Sequence, residues 1–162
     1  EIFEIHGNHV LGVRNQDPDA VPNTFLLSSE DWTDYSFSTN VVFESGVFEQ
    51  IYLVVRSQGR INCTGYRVGG NRLGVSIFRF DPVNGCDGEV LAEDIHFPLE
   101  TGRSYLMRVD AIGDRIRFFV DGQLVLEAQD DTYPQGGVGL LAYQVRSAYF
   151  DEIEVRKTTV GE

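Results

Sequence analysis

The chain has 162 residues, with 13 basic and 25 acidic side chains and a formal net charge of −12 at pH 7. Its length suits a single domain spanning residues 1–162, and a hydrophobic fraction of 42% excludes a disordered chain. The acidic excess argues against nucleic acid and anionic membranes as partners, because both attract clustered Lys and Arg. No apolar run is long enough for a spanning helix, so we expect no membrane insertion.

Apolar residues with a period of two predict strands along much of the chain. Residues 51–56 form a short β-branched run, and Leu73, Val75 and Ile77 alternate with their neighbours. No stretch has the three-four apolar repeat that an amphipathic helix needs. Many short strands separated by regular turns predict an all-β fold, an antiparallel β-sandwich or jelly roll.

The clearest local unit is a three-stranded antiparallel meander. Its predicted strands are residues 105–111, 115–120 and 123–128, with turns at residues 113–114 and 121–122. The Asp-Gly pair of the second turn favours a type I′ hairpin, which requires positive φ at both central positions.

The two cysteines, Cys63 and Cys86, match no zinc-binding pattern and leave two alternatives, a disulfide or two free thiols. The disulfide is the prediction, because both residues lie in turn-rich segments near Gly65 and Gly85. It would close a loop of about 24 residues, contribute about 3 kcal/mol to stability and indicate a location outside the cytosol.

Several motifs follow one another along the chain: WTDY at residues 32–35, LVVR at 53–56, GRSYLMRV at 102–109, FVDG at 119–122, DTYPQGGVGL at 131–140 and AYFDEIEV at 148–155. In this order they resemble the concanavalin A-like lectin and glucanase superfamily. The most similar branch is the laminin-G-like sandwich domains, which occur as accessory modules of secreted glycan-degrading enzymes. The resemblance extends over residues 8–155 and implies a concanavalin A-like sandwich; function must still be argued from the site.

The resemblance also implies one structural calcium ion. In related sandwiches an Asp of the closing strand binds calcium together with an early acidic residue and a backbone carbonyl. These positions correspond to Asp151, Glu4 and the carbonyl of Gly46. Calcium requires six to eight oxygen ligands. The alternative is that Asp151 caps a turn or pairs with an arginine.

Sugar binding needs an aromatic platform with planar hydrogen-bonding groups beside it. The predicted contacts are Arg56, Tyr66, Arg79 and Tyr143, with Gln58 and Gln144 as helpers. By simple alternation Arg56 should lie on the face of Tyr52 and Val54, opposite Leu53 and Val55. The alternative is that the tyrosines are core residues and the arginines cover sheet edges. The single tryptophan, Trp32, is predicted to pack inside.

No catalytic residue is predicted. The middle strands lack the paired carboxylates that retaining glycosidases use, and residues 151–154 (DEIE) lie in the closing strand. The sequence therefore predicts an extracellular, non-catalytic carbohydrate-binding module that recognises a neutral glycan. We expect the chain to be a mature or excised piece fused to further domains. The alternatives are a glycoside hydrolase or lyase of the same fold, a protein-binding laminin-G-like adhesion domain and a structural spacer.

Overall fold

The computed structural model describes residues 2–5, 8–14, 23–28, 31–44, 49–59 and 63–158. Its one short 3-10 helix is Pro82–Asn84, and no helix in these segments has the length and apolarity needed to cross a membrane. The strands are β1 (Ile2–Ile5), β2 (Asn8–Arg14), β3 (Asn23–Leu26), β4 (Tyr35–Glu44), β5 (Gln50–Ser57), β6 (Gly65–Asn71), β7 (Gly74–Phe80), β8 (Gly88–Asp94), β9 (Tyr105–Ile112), β10 (Arg115–Val120), β11 (Gln123–Gln129), β12 (Gly137–Tyr143) and β13 (Ser147–Lys157).

The strands form two antiparallel sheets. Sheet A is a 7-stranded sheet in the order β1-β2-β13-β4-β9-β10-β11. Sheet B is a 6-stranded sheet in the order β3-β12-β5-β6-β7-β8. The predicted all-β antiparallel sandwich is therefore confirmed.

The meander of β9, β10 and β11 is also confirmed, within one residue at each strand end. Asp121 and Gly122 have φ values of 50° and 82°, the positive pair that a type I′ turn requires.

The core lies between the sheets and follows the predicted period of two. In β4, Tyr35, Phe37, Thr39, Val41 and Phe43 are buried, while the residues between them are partly exposed. Burial of such side chains is the main favourable term in folding, at roughly 25 cal/mol per Å² of apolar surface. Since each sheet turns one face to this core, each also presents one outer face on which a ligand could lie.

Cys63 and Cys86 are joined by a disulfide, with their Cα atoms 4.7 Å apart. The bond ties the start of β6 to the loop that follows residues 82–84. The enclosed segment contains all of β6 and β7, so the disulfide braces two neighbouring strands of sheet B.

Candidate functional site

The outer face of sheet B carries rings where an exposed sheet face is usually polar. Strand register places Tyr52 of β5, Arg67 of β6, Phe78 and Phe80 of β7 and Tyr143 of β12 on this side. We call these five residues the aromatic face.

A small apolar cluster, separate from the main core, forms part of the aromatic face. Tyr52, Val54 and Leu141 are almost completely buried, and Phe78 and Tyr143 pack against them while staying partly exposed. Phe78 and Tyr143 are therefore held in place by their packing against the buried members of the cluster and still reach the surface.

Arg67 lies flat against one ring of the aromatic face. Its guanidinium carbon is 3.6 Å from the centre of the Phe80 ring. Burial lowers the pKa of Arg67 to about 10, with the nearby Tyr52 opposing the shift, so the group stays charged at neutral pH. A planar cation stacked in this way is preorganised to donate hydrogen bonds in a fixed direction.

Tyr52 connects the rings to Ser76, a polar residue on β7. Its ring meets that of Phe78 edge-on, with centroids 6.1 Å apart. Burial raises the pKa of the Tyr52 hydroxyl, which shares a hydrogen bond with Ser76. Ring faces, a planar cation and hydroxyl groups together suit a ligand with apolar C–H surfaces and many hydroxyls.

The prediction that Arg56 faces outward is wrong. Its side chain is fully buried, and its guanidinium lies 3.6 Å from Asp34. It donates hydrogen bonds to the backbone carbonyls of Gly113 (2.7 Å), Tyr133 (3.1 Å) and Thr33 (2.9 Å). The side chain thus joins three connecting segments at one end of the sandwich, and it has no surface on which a ligand could lie.

A β-bulge reverses the direction of Arg56. Here Val55 and Arg56 of β5 stand opposite the single residue Val138 of β12, and Arg56 has a φ of 54°. Two glycines allow the backbone to come this close. A Cβ on Gly65 would lie 2.6 Å from the Val55 carbonyl oxygen, and one on Gly136 would lie 2.5 Å from the Arg56 carbonyl carbon. Bulges change where side chains point, so alternation fails at this position.

Tyr35 supports the bulge from the core. Its hydroxyl accepts a hydrogen bond from the Arg56 amide at 2.8 Å, and burial raises the pKa of Tyr35 to about 12. The ring of Trp32 meets that of Tyr35 edge-on at 5.8 Å. Trp32 packs against the main core but stays partly exposed, so it covers the edge of the core instead of lying inside it.

Tyr66 and Arg79, two further predicted contacts, meet at Asp130. The Tyr66 hydroxyl donates to one carboxylate oxygen at 2.6 Å, and Arg79 donates to the other at 2.6 Å. Arg79 also pairs with Glu89, and the amide of Thr132 donates to Asp130 at 3.0 Å. Burial and the bond to Asp130 raise the pKa of Tyr66. The network anchors the segment before β12 and points inward, away from the aromatic face.

This network predicts a pH dependence of stability. Burial would raise the pKa of Asp130, but hydrogen bonds from Tyr66, Thr132 and Arg79 outweigh it and hold the pKa below its ordinary value. A folded-state pKa below the unfolded value of about 3.9 means that this stabilisation is present above pH ~4 and is lost as the pH falls through the folded pKa. We therefore expect the free energy of unfolding to fall less for Asp130→Asn than for the wild type when the pH is lowered from about 5 to 2.

Urea unfolding at several pH values measures this difference. The exposed neighbour Asp131 supplies the control variant Asp131→Asn, which should follow the wild-type profile. Parallel profiles for Asp130→Asn and wild type would contradict the expectation.

The other predicted contacts lie at opposite ends of sheet B. Gln58 is exposed beside the Arg56 bulge, where its side chain donates to the Gln135 carbonyl. Tyr143 pairs with Gln50 at the far end of β5, and Gln144 follows it with a φ of 52°. Six or seven residues of strand, roughly 20 Å, separate the two ends. Among the predicted contacts, only Tyr143 belongs to the aromatic face.

Of the three predicted calcium ligands, Asp151 is the one whose ligand group lies within the described residues. One Asp151 carboxylate oxygen accepts a hydrogen bond from the Glu152 amide at 2.8 Å, and the Asp151 carbonyl accepts one from the Thr39 hydroxyl at 2.8 Å. Gly46 and the side chain of Glu4 lie outside the described residues. In the described segments, no three His, Cys, Asp or Glu residues group closely enough to hold a metal. Calcium at Asp151 stays a prediction.

Sequence reasoning missed Arg67, Phe78, Phe80 and Asp130. Arg67 could have been found by pairing residues 51–56 with residues 65–71 as a hairpin, because outward Val54 then lies opposite Arg67. Pairing residues 65–71 with the next predicted strand adds Phe78 and Phe80, which lie opposite Arg67 and Gly65 on the same face. Nothing local marks Asp130 as the partner of Tyr66 and Arg79, since both lie more than fifty residues away from it in the chain.

Comparison with known proteins supports the sandwich. No protein-family model matches the chain. A levanase of Bacillus subtilis (strain 168) is 24% identical over 129 residues, which cover 78% of this chain and 18% of that protein. The chain therefore spans less than a fifth of this curated relative.

Solved structures show the same fold at low identity. The carbohydrate-binding module CBM66 of Bacillus subtilis matches with a TM-score of 0.78 and 21% identity, covering 97% of this chain and 91% of that chain. The Caenorhabditis elegans galectin LEC-6 matches with a TM-score of 0.55 and 15% identity, covering 87% and 96%. The fold is thus a CBM66-like and galectin-like β-sandwich, and membership of the concanavalin A-like superfamily stays a prediction.

Proposed function

We propose that this chain is a non-catalytic carbohydrate-binding module and that the aromatic face binds a neutral polysaccharide. The observation that carries the proposal is the row of rings on the outer side of sheet B, where Tyr52, Phe78, Phe80 and Tyr143 share one face with an arginine that is stacked on Phe80. The likeness to a carbohydrate-binding module over nearly the whole chain and the similarity to a levanase support it.

Different residues of the aromatic face would make different contacts with the polysaccharide. Partly exposed Phe78 and Tyr143 would pack against the C–H sides of different sugar units along the polysaccharide. Arg67 would donate to ring hydroxyls from its fixed position over Phe80. The net charge of −12 would repel sulfated or uronic polymers, so a neutral chain is the preferred ligand.

The disulfide and the partial coverage of the levanase support two further parts of the proposal. A disulfide suits an extracellular protein. A module that spans 18% of its relative would act beside further domains, where it raises the concentration of an attached enzyme at the polysaccharide.

Affinity electrophoresis tests the site in gels that contain levan, inulin, dextran, barley β-glucan or galactan. We expect at least one polymer to retard the wild type, and Arg67→Ala or Tyr143→Ala to weaken apparent binding by about tenfold or more, which corresponds to ~1.4 kcal/mol. Arg67→Lys should not restore binding, because an ammonium group cannot stack flat on Phe80.

Arg103→Ala is the matched control. Its guanidinium lies over the Tyr105 ring at 4.8 Å, away from the aromatic face, so its loss should leave migration unchanged. If the gel retarded Arg67→Ala and Tyr143→Ala as strongly as the wild type, the proposed site would be refuted. Release of reducing ends from a retarding polymer would refute the non-catalytic assignment and favour a hydrolase.

A further inference from the structure

A second groove crosses the outer face of sheet A. Two small residues of β4 are set between longer side chains of the neighbouring strands: Ser36 between Asp110 and Arg156, and Ser38 between Arg108 and Glu154. Short side chains flanked by long ones leave a groove of about 670 Å³. This volume is within the range of roughly 300–1,000 Å³ that small-ligand sites occupy.

A β-bulge in β13 builds one wall of this groove. The register of β13 against β4 shifts between Asp151 and Glu154, and Glu152 has a φ of 48°. Thr39 and Asn40 of β4 each hydrogen-bond to the bulged segment, at the Asp151 carbonyl and at the Glu152 carboxylate. The bulge is therefore held in place, and Ile153 is turned toward the groove with 38% of its surface exposed.

The groove combines apolar surface with a stacked arginine, as the aromatic face does. Leu106 is 43% exposed on β9, and Phe119 of β10 lies beside it in the lining. The guanidinium carbon of Arg108 is 4.0 Å from the centre of the Phe119 ring. Both outer faces thus present an aromatic ring that carries a planar cation.

Both arginines that line the groove are neutralised by carboxylates beside them. Arg108 lies 3.0 Å from Asp110, and Arg156 donates to Glu154 at 2.7 Å. The Ser36 hydroxyl also donates to Asp110, at 2.7 Å. Glu152, the further carboxylate in the lining, accepts a hydrogen bond from Asn40. A groove whose arginines are both paired with carboxylates complements a neutral, hydroxyl-rich ligand better than an acidic one. A second copy of this chain is disfavoured, because each copy carries a charge of −12.

We infer that this groove is a second glycan-binding site, so that one module holds two chains of a neutral polysaccharide on opposite faces. The inference rests on the proposed function for the class of ligand, but its location is independent of the aromatic face. Two sites that point in opposite directions would cross-link polymer chains and raise avidity for a dense polysaccharide.

Isothermal titration calorimetry tests the stoichiometry. The probe is a set of oligosaccharides cut from whichever of the five polysaccharides retards the wild type. We expect two oligosaccharides per chain for the wild type and one for Ser38→Trp, whose indole would fill the groove. Arg67→Ala should also bind one, and the double variant none.

Leu106→Ala keeps the test decisive if Ser38→Trp does not fold. It should weaken one of the two sites by about fivefold or more and leave the other within twofold, a difference near 1 kcal/mol. Ile112→Ala on β9 is the matched control, because Ile112 is similarly exposed, at 40%, and lies outside the groove lining.

The outcomes separate this inference from the proposed function. One oligosaccharide per chain that Arg67→Ala abolishes and Ser38→Trp leaves intact would overturn the second site alone. One oligosaccharide that only Ser38→Trp abolishes would place glycan binding in the groove and refute the aromatic face. No binding to any of the five polysaccharides would overturn both.

Discussion

Arg56→Ala is expected to lower the free energy of unfolding by about 3–5 kcal/mol, more than any other single substitution considered for this chain. The guanidinium donates to the carbonyls of Gly113, Tyr133 and Thr33, and each acceptor left without a partner costs about 1–3 kcal/mol. Asp34 would also lose its nearby cation. Urea unfolding monitored by circular dichroism measures the change.

Arg56→Lys should recover only part of this stability, because a single ammonium group cannot span three carbonyls on separate segments. Arg117→Ala is the control. Arg117 is 42% exposed and paired with Glu127, and such surface pairs contribute about 0–1 kcal/mol.

The same variant separates a structural role for Arg56 from a role in binding. At a low temperature at which the Arg56→Ala variant is still folded, we expect it to retain polysaccharide binding. Loss of binding with unchanged stability would contradict the structural role and return Arg56 to the list of ligand contacts.

Removing the disulfide is expected to have the second-largest effect. The double variant Cys63→Ala/Cys86→Ala should lose about 3 kcal/mol, because the unfolded chain regains the freedom of a loop that closes across 23 positions. The enclosed segment carries Arg67, Phe78 and Phe80, so the variant should also bind polysaccharide more weakly than the wild type when both are folded.

Chemical reduction supplies the matched comparison. Wild type unfolded in the presence of dithiothreitol should approach the double variant, while the double variant itself should not respond to the reductant. Equal stability of oxidised and reduced wild type would contradict a stabilising disulfide.

The local features of this fold could be predicted because they depend on neighbouring residues. The Asp121-Gly122 turn follows from the need for positive φ in a tight hairpin, and it aligns β10 with β11 in the predicted meander. The alternation in β4 likewise follows from the pleat of a strand with one buried face.

The candidate site was predicted less well because its geometry depends on contacts between distant segments. Alternation placed Arg56 on the outer face, but a bulge against β12 and two close-packed glycines turn it into the core. Tyr66 and Arg79 were predicted as ligand contacts, yet both bind Asp130, which lies more than fifty residues further along the chain.

The amino-acid sequence by itself determined the all-β class and the meander with its turns, since these arise from period-two patterning and from the φ preferences of Asp and Gly. Only the tertiary structure decided which side chains share a surface. Arg67 lies over Phe80 and Arg108 over Phe119 because sheet register brings separate strands together. That register is set by burial across the whole sandwich, where a one-residue slip would exchange the two faces of a strand.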